Sequence, residues 1–200
     1  MDKPYQQQVK GMMKYPSRGT ANRFIFKTPF YLWRMGLKGF LGSRMMVLTT
    51  TGRISKKPRY TMLSYGRYAG SYYLLSGWGD RSDWYKNIQA DTLVTIQTDT
   101  ITSTARARRV ESLGEYRPVM QAMLDGGGDS HFEPWLASLD IDENMEDLVA
   151  KRERVYLVAL DPCGGSGPIP LEADLTWVWG AVGLLLTGGM VIAYLRRNRE

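Results

Sequence analysis

The sequence contains very few of the residues that build metal centres and disulfide bridges. It has one cysteine, Cys163, and one histidine, His131, among 200 residues. A single cysteine cannot form an intrachain disulfide, and a single histidine argues against a metal site built from several histidines. We therefore expect no metal ion, and the cysteine usage fits a reducing compartment.

The N-terminus lacks the features of a signal peptide. Residues 1–14 are polar and contain no apolar run before a cleavage site. The net charge of +6, from 26 basic and 20 acidic residues, suits an anionic ligand, an anionic lipid surface or a nucleic acid. The basic residues cluster at one turn instead of forming a long stripe, so we expect no nucleic-acid partner.

One long apolar run is present near the C-terminus. Residues 176–195, TWVWGAVGLLLTGGMVIAYL, carry no charge, and a helix of this length would span about 30 Å, the thickness of the hydrocarbon layer. This pattern predicts a transmembrane helix, with a buried core helix as the alternative. The protein would then be a single-pass protein of the cell membrane with a cytoplasmic catalytic domain, although the basic tail at residues 196–200 favours the opposite orientation.

The rest of the chain predicts one α+β domain. Short β-branched, aromatic or alternating segments read as strands of an antiparallel sheet that closes toward a barrel, with peripheral helices at residues 82–90 and 113–124. We expect an N-terminal basic and aromatic helical segment at 1–40, a barrel domain at 41–162 and a Gly/Pro-rich linker at 163–175. The helix at 24–40 could break near Pro29 and either pack on the core or lie in the lipid headgroup layer.

The segment 49–59, TTTGRISKKPR, predicts an anion site. It places four cations, Arg53, Lys56, Lys57 and Arg59, in and beside a turn between two predicted strands. Gly52 permits backbone N–H groups to converge on an oxyanion, and arginine can bind phosphate or carboxylate with two parallel hydrogen bonds. A solvated basic turn is the alternative interpretation.

A second polar segment, SGWGDRSDWYKN at residues 76–87, leaves a strand through a glycine-containing loop and enters a helix. Its backbone N–H groups and the helix start could hold another polar part of a ligand. Trp84 could stack on a flat ring or pack the helix against the barrel.

Taken together, RMMVLTTTGRISKKPRYTMLSY, YYLLSGWGD, DWYKNIQAD and VYLVALDP resemble the deazaflavin-dependent nitroreductase family, also called deazaflavin-dependent quinone reductases. The resemblance covers about residues 29–162. It implies an antiparallel split β-barrel, related to pyridoxamine-oxidase-like flavin-binding proteins, that binds the deazaflavin coenzyme F-420. One departure is Lys56, where the family usually has glycine, and the tyrosine-rich substrate segment of the family is not recognisable at residues 125–143.

The resemblance implies an oxidoreductase that passes hydride from reduced F-420 to a lipid-soluble, menaquinone-like quinone or a nitro-aromatic acceptor at the membrane. Its implied cofactor-binding residues are Arg53, Ser55, Lys57, Arg59, Ser76, Gly77, Trp78, Gly79, Trp84 and Asn87. The candidate catalytic hydrogen-bond donors are Tyr65, Ser76 and His131. FMN or haem on the same barrel, or a non-catalytic membrane-tethered binding module, are the alternatives, and a homodimer is possible.

Overall fold

The computed structural model describes residues 22–41, 45–125 and 132–197. Within these ranges the chain forms seven strands and six α-helices. The strands are β1 Met45–Thr51, β2 Pro58–Ser64, β3 Gly66–Tyr68, β4 Ser71–Leu75, β5 Leu93–Gln97, β6 Thr102–Arg109 and β7 Leu157–Pro162. The helices are α1 Asn22–Arg34, α2 Asp83–Ala90, α3 Leu113–Asp125, α4 Phe132–Ser138, α5 Met145–Ala150 and α6 Trp177–Arg197.

The strands form one sheet in the order β2-β1-β5-β6-β7-β4-β3. Every pairing in it is antiparallel. Although β2 and β4 lie near opposite edges of this order, they approach each other. The sheet is therefore curled into a half-barrel, as the split-barrel resemblance implies.

Two apolar clusters occupy the two faces of the sheet, because successive side chains of a strand point to opposite faces. Leu74 of β4 and Leu160 of β7 belong to the first cluster, whereas Tyr73 and Ala159 belong to the second. Helix α2 packs into the first cluster, and α3, α4 and α5 pack into the second. This arrangement leaves the N-terminal end of α2 beside the loops that connect the strands.

Helix α1 ends at a glycine and is not broken by its proline. It runs from Asn22 through Pro29 to Arg34. Gly36 has a φ of 80°, and the N–H groups of Gly36 and Leu37 donate to the carbonyls of Trp33 and Leu32, 2.9 Å away in both cases. These two bonds form a Schellman motif, which satisfies carbonyls at the end of a helix.

The segment 163–175, predicted as a linker, lies along the sheet. The Thr95 hydroxyl donates to the carbonyl of Pro168 at 2.6 Å, and the Gln97 amide exchanges two hydrogen bonds with the backbone of Leu171, at 3.1 and 2.7 Å. Gly167 fits closely, since a Cβ there would lie 2.5 Å from the Thr95 hydroxyl oxygen. The segment therefore covers the face of β5 opposite to its core side chains.

The prediction of a transmembrane helix at residues 176–195 is wrong. Within the described part of the chain, no helix is long and apolar enough to cross a membrane. Helix α6 includes four glycines and a threonine, which add little apolar surface. The prediction of a single-pass anchor in the cell membrane is therefore wrong as well.

Candidate functional site

The cationic turn between β1 and β2 is closed by backbone hydrogen bonds. The N–H of Gly52 donates to the carbonyl of Lys57 at 2.9 Å, and the N–H of Lys56 donates to the carbonyl of Gly52 at 2.8 Å. A Cβ on Gly52 would lie 2.5 Å from the hydroxyl oxygen of Ser55. The turn therefore leaves little room for a side chain at position 52.

Lys56 occupies the left-handed backbone region, with a φ of 54°. This region is strained for side-chain-bearing residues and free for glycine. The turn is therefore one that a glycine at this position would form without strain. Lys56 keeps this turn and adds an exposed cation to it.

Ser55 lies inside the turn. Its hydroxyl oxygen accepts a hydrogen bond from the guanidinium Nη2 of Arg59 at 3.2 Å and from the backbone N–H of Lys57 at 3.4 Å. Ser55 thus holds the base of the turn, while the side chains of Lys57 and Arg59 are exposed. A ligand that approaches the turn meets the lysine and arginine heads first.

Arg53 ties the turn to helix α2. Its backbone N–H and its Nη1 both donate to the amide oxygen Oδ1 of Asn87, 3.2 Å away in each case. Its Nη2 donates to the carboxylate Oδ1 of Asp83 at 3.0 Å. Asn87 is 4% exposed, and its amide nitrogen donates in turn to the hydroxyl of Thr50 at 3.0 Å. The start of α2 and the cationic turn therefore form one surface.

The glycine loop, residues 76–79, meets the same end of α2. The Ser76 hydroxyl is buried, donates to the carbonyl of Gly79 at 2.7 Å, and pairs with the Ser82 hydroxyl at 2.8 Å. Gly79 has a φ of 57°, which glycine adopts without strain. Ser82 immediately precedes α2, so this cluster fixes the loop against the helix start.

This surface lies within a part of the chain that matches the model of a known family. Residues 34–126 match the model of a family described as F420H2-dependent quinone reductase. The matched range includes the cationic turn, the glycine loop and α2. This region is therefore similar to the F420H2-dependent quinone reductase family. The resemblance stated from the sequence is confirmed, as are the class of the protein, an F-420-dependent oxidoreductase, and coenzyme F-420 as its cofactor.

Solved structures give a weaker likeness. An F-420-H2 dependent reductase, FDR-A, has 20% identity and a TM-score of 0.44, with 59% of this chain and 93% of that chain covered. The heme storage protein HutZ from Vibrio cholerae has 16% identity and a TM-score of 0.44, with 70% and 96% covered. A structure described as a domain-swapped dimer has 18% identity and a TM-score of 0.45, with 71% and 100% covered. No curated protein matches the chain.

Several residues that the reductase resemblance assigns to the cofactor are used by the protein itself. Trp84 is 5% exposed, lies in the first apolar cluster, and contacts Tyr85 edge-to-face with ring centroids 5.9 Å apart. This geometry assigns Trp84 to packing. Asn87 and Ser76 have their side chains bonded to other residues of the site, as described above. Arg53, Lys57 and Arg59 remain the side chains of the set with charge at the surface.

The glycine loop makes one contact that the sequence did not indicate. The indole Nε1 of Trp135, on α4, donates to the carbonyl of Gly77 at 3.3 Å. Trp135 is 8% exposed and belongs to the second apolar cluster. A lone tryptophan 58 residues away in sequence carries no local signal that could have revealed this contact. The contact between Asp83 and Arg53 was likewise not indicated by the sequence.

Two of the three candidate hydrogen-bond donors, Tyr65 and Ser76, lie in the described part of the chain, in different loops. Tyr65 connects β2 to β3, and its ring contacts Tyr72 edge-to-face with centroids 5.4 Å apart. Burial raises the pKa of Tyr65 above its usual value, with Asp99 and Tyr72 adding to the shift and Arg67 opposing it. Ser76 is internal to the glycine loop. His131 lies outside the described residues.

Proposed function

We propose that this F-420-dependent oxidoreductase transfers hydride from reduced F-420 to a menaquinone-like quinone or a nitro-aromatic compound. The observation that carries the proposal is the docking of a turn with four cations onto the start of α2, beside the glycine loop. Such a surface offers charge for an anionic tail and backbone N–H groups for a second polar part of the same ligand.

The residues at the turn fit the chemistry of this cofactor. F-420 carries a phosphate and a glutamate tail, and both are oxyanions that guanidinium and ammonium groups bind. Lys56, Lys57 and Arg59 are exposed at the turn. Arg53 is half-buried and held in place by α2. We assign Arg53, Lys57 and Arg59 to the tail, and the backbone of residues 77–79 to the phosphate and ring end.

The bound reduced cofactor supplies the hydride, and the protein supplies position, exclusion of water and a proton. Reduction of a quinone to a quinol consumes one hydride and one proton. A hydrogen-bond donor close to the acceptor oxygen therefore lowers the barrier as negative charge develops there. We assign this donor role to Tyr65.

Two properties of Tyr65 support the assignment. The phenol of a tyrosine is protonated at neutral pH and can donate, and burial raises the pKa of Tyr65 further above its usual value. No hydrogen bond within the described part of the chain uses its hydroxyl, whereas the hydroxyl of Ser76 is bonded to Gly79 and Ser82. We therefore favour Tyr65 over Ser76 as the donor.

The test begins with the purified full chain and F-420. Oxidised and reduced F-420 should bind, and addition of menaquinone or a nitroimidazole should reoxidise the reduced cofactor, which its visible absorbance reports. Tyr65→Phe should lower kcat on the order of a hundredfold and leave F-420 affinity unchanged. Absence of F-420 binding in the wild type would refute the proposal.

The same absorption spectrum separates the remaining alternatives. FMN or haem would appear as a chromophore that co-purifies with the protein or is retained after reconstitution. Tight F-420 binding without reoxidation by any acceptor would favour a purely binding role. The homodimer stays a prediction, and sedimentation equilibrium of the full chain tests it.

A further inference from the structure

The guanidinium of Arg53 is held along one edge. Nη1 donates to Asn87 Oδ1 at 3.2 Å and approaches the backbone carbonyl of Asp83 at 3.5 Å, and Nη2 donates to the Asp83 carboxylate at 3.0 Å. A guanidinium has five N–H donors in a fixed planar fork. The Nη1–Nη2 edge is thus turned toward α2. Among the described residues, none accepts from Nε, so the Nε–Nη2 edge has donors left.

Asn87 has no acceptor capacity left for a ligand. Both acceptor positions of Oδ1 are taken, one by the backbone N–H of Arg53 and one by its Nη1. The amide nitrogen donates to Thr50 at the end of β1. With 4% of the residue exposed, a direct contact with a cofactor would require these bonds to break. Asn87 is therefore built to hold Arg53.

We propose that Asn87 is a positioning residue that acts through Arg53, presenting the Nε–Nη2 edge of the guanidinium to an oxyanion of the ligand. Asp83 completes the clamp from the first turn of the same helix. A bidentate contact needs the planar fork in one orientation, and an unrestrained arginine would lose rotamer entropy on binding. The inference rests on the proposed function where it names the glutamate and phosphate tail of F-420 as that oxyanion.

The primary experiment compares two ligands on the full chain: F-420, and the deazaflavin that lacks the phosphate and glutamates. Asn87→Ala should weaken F-420 on the order of tenfold, because the loss of a positioned charged hydrogen bond has this size. It should leave the affinity for the tail-less deazaflavin within about twofold of wild type. Gln89→Ala, an exposed amide on the same helix, is the matched control and should change neither affinity.

The double variant separates positioning from direct contact. If Asn87 acts through Arg53, Asn87→Ala has no further effect on F-420 affinity in the Arg53→Ala background. Full additivity of the two losses, or an equal loss for both ligands, would overturn the inference. Arg53→Lys keeps the charge without the fork and should lose nearly as much as Arg53→Ala. Wild-type affinity in Arg53→Lys would also contradict it, even if Asn87→Ala failed to fold.

A probe that does not require F-420 distinguishes this inference from the proposed function. Titration with a triglutamate peptide should shift the NMR signal of the Arg53 Nε–H in the wild type and not in Asn87→Ala. If F-420 fails to bind while this shift is observed, the proposed function is wrong and the clamp stands. If F-420 binds and the Arg53 signal does not move with either F-420 or the peptide, the clamp is refuted and the function stands.

Discussion

The indole Nε1 of Trp135 donates a hydrogen bond to the carbonyl oxygen of Gly77, 3.3 Å away. This bond joins helix α4, which packs on the second apolar cluster, to the glycine loop beside the first. A carbon built on Gly77 would touch the same ring at 3.9 Å. The loop that we assign to the cofactor's phosphate and ring end is thus supported by a helix from the other face of the sheet.

Replacing this tryptophan should loosen the loop. Trp135→Phe removes the donor and part of the buried ring, and we expect a loss of about 1–3 kcal/mol in the free energy of unfolding. The affinity for the tail-less deazaflavin should fall. The ratio of the F-420 affinity to the tail-less deazaflavin affinity, which measures what the tail contributes, should change less. Urea unfolding and titration of both ligands measure these effects. Trp179→Phe removes a comparable bond, from Nε1 to the Met35 carbonyl at 2.8 Å, and should leave ligand binding unchanged.

The left-handed Lys56 offers a stabilising substitution. Lys56→Gly should raise the free energy of unfolding by up to about 1 kcal/mol, because relief of the strained φ exceeds the entropy cost of glycine. Lys57→Gly removes the same charge one residue later, where φ is not positive, and should bring no gain. Thermal unfolding of the two variants gives the comparison, and equal stabilities would contradict the argument.

The ionisation of Glu115 makes the free energy of unfolding depend on pH in the acid range. The Arg108 guanidinium donates to Glu115 at 2.7 Å and lowers the pKa of Glu115, against a smaller opposing effect of burial. A group with a lowered folded-state pKa binds fewer protons in the folded state than in the unfolded chain. Its stabilisation is therefore present above its unfolded value of 4.5 and is lost as the pH falls through the lower folded value.

Urea unfolding between pH 6 and pH 3 checks this dependence. Arg108→Met should flatten the pH dependence because Glu115 then returns toward its ordinary pKa. Arg106→Met on the same strand, whose side chain bonds to Thr92 at 3.4 Å, should keep the wild-type slope. The same slope in both variants would show that Glu115 does not titrate as described.

The segment over β5 should depend on Gly167. Gly167→Ala places a methyl group 2.5 Å from the Thr95 hydroxyl oxygen and 2.9 Å from the Val94 carbonyl, and we expect a loss of about 1–3 kcal/mol in the free energy of unfolding. Gly164→Ala, where nothing lies within 4 Å, is the control and should be neutral. The backbone N–H of Leu171 donates to the amide oxygen of Gln97 at 2.7 Å. The rate of hydrogen exchange at this N–H reports whether the segment detaches from the sheet.

Local patterns in the sequence predicted much of the fold. Alternating and β-branched runs predicted short strands of an antiparallel sheet, and the structure contains such strands, for example β1 Met45–Thr51. The strand β3 Gly66–Tyr68 was missed because three residues carry too little pattern. Helices α4 and α5, of seven and six residues, were missed for the same reason. The apolar run at 176–195 predicted a transmembrane helix by its length and lack of charge, although its four glycines add little apolar surface.

The sequence by itself determined the chemistry of the site: four cations on a glycine turn, and a glycine loop that leads into a helix. Only the tertiary structure decided which of those side chains are held by other residues and which remain exposed. Asn87 holds Arg53 across 34 residues, and Trp135 reaches Gly77 across 58. Charge and turn chemistry are local properties of the chain, whereas the partner of a buried donor or acceptor depends on how distant segments pack.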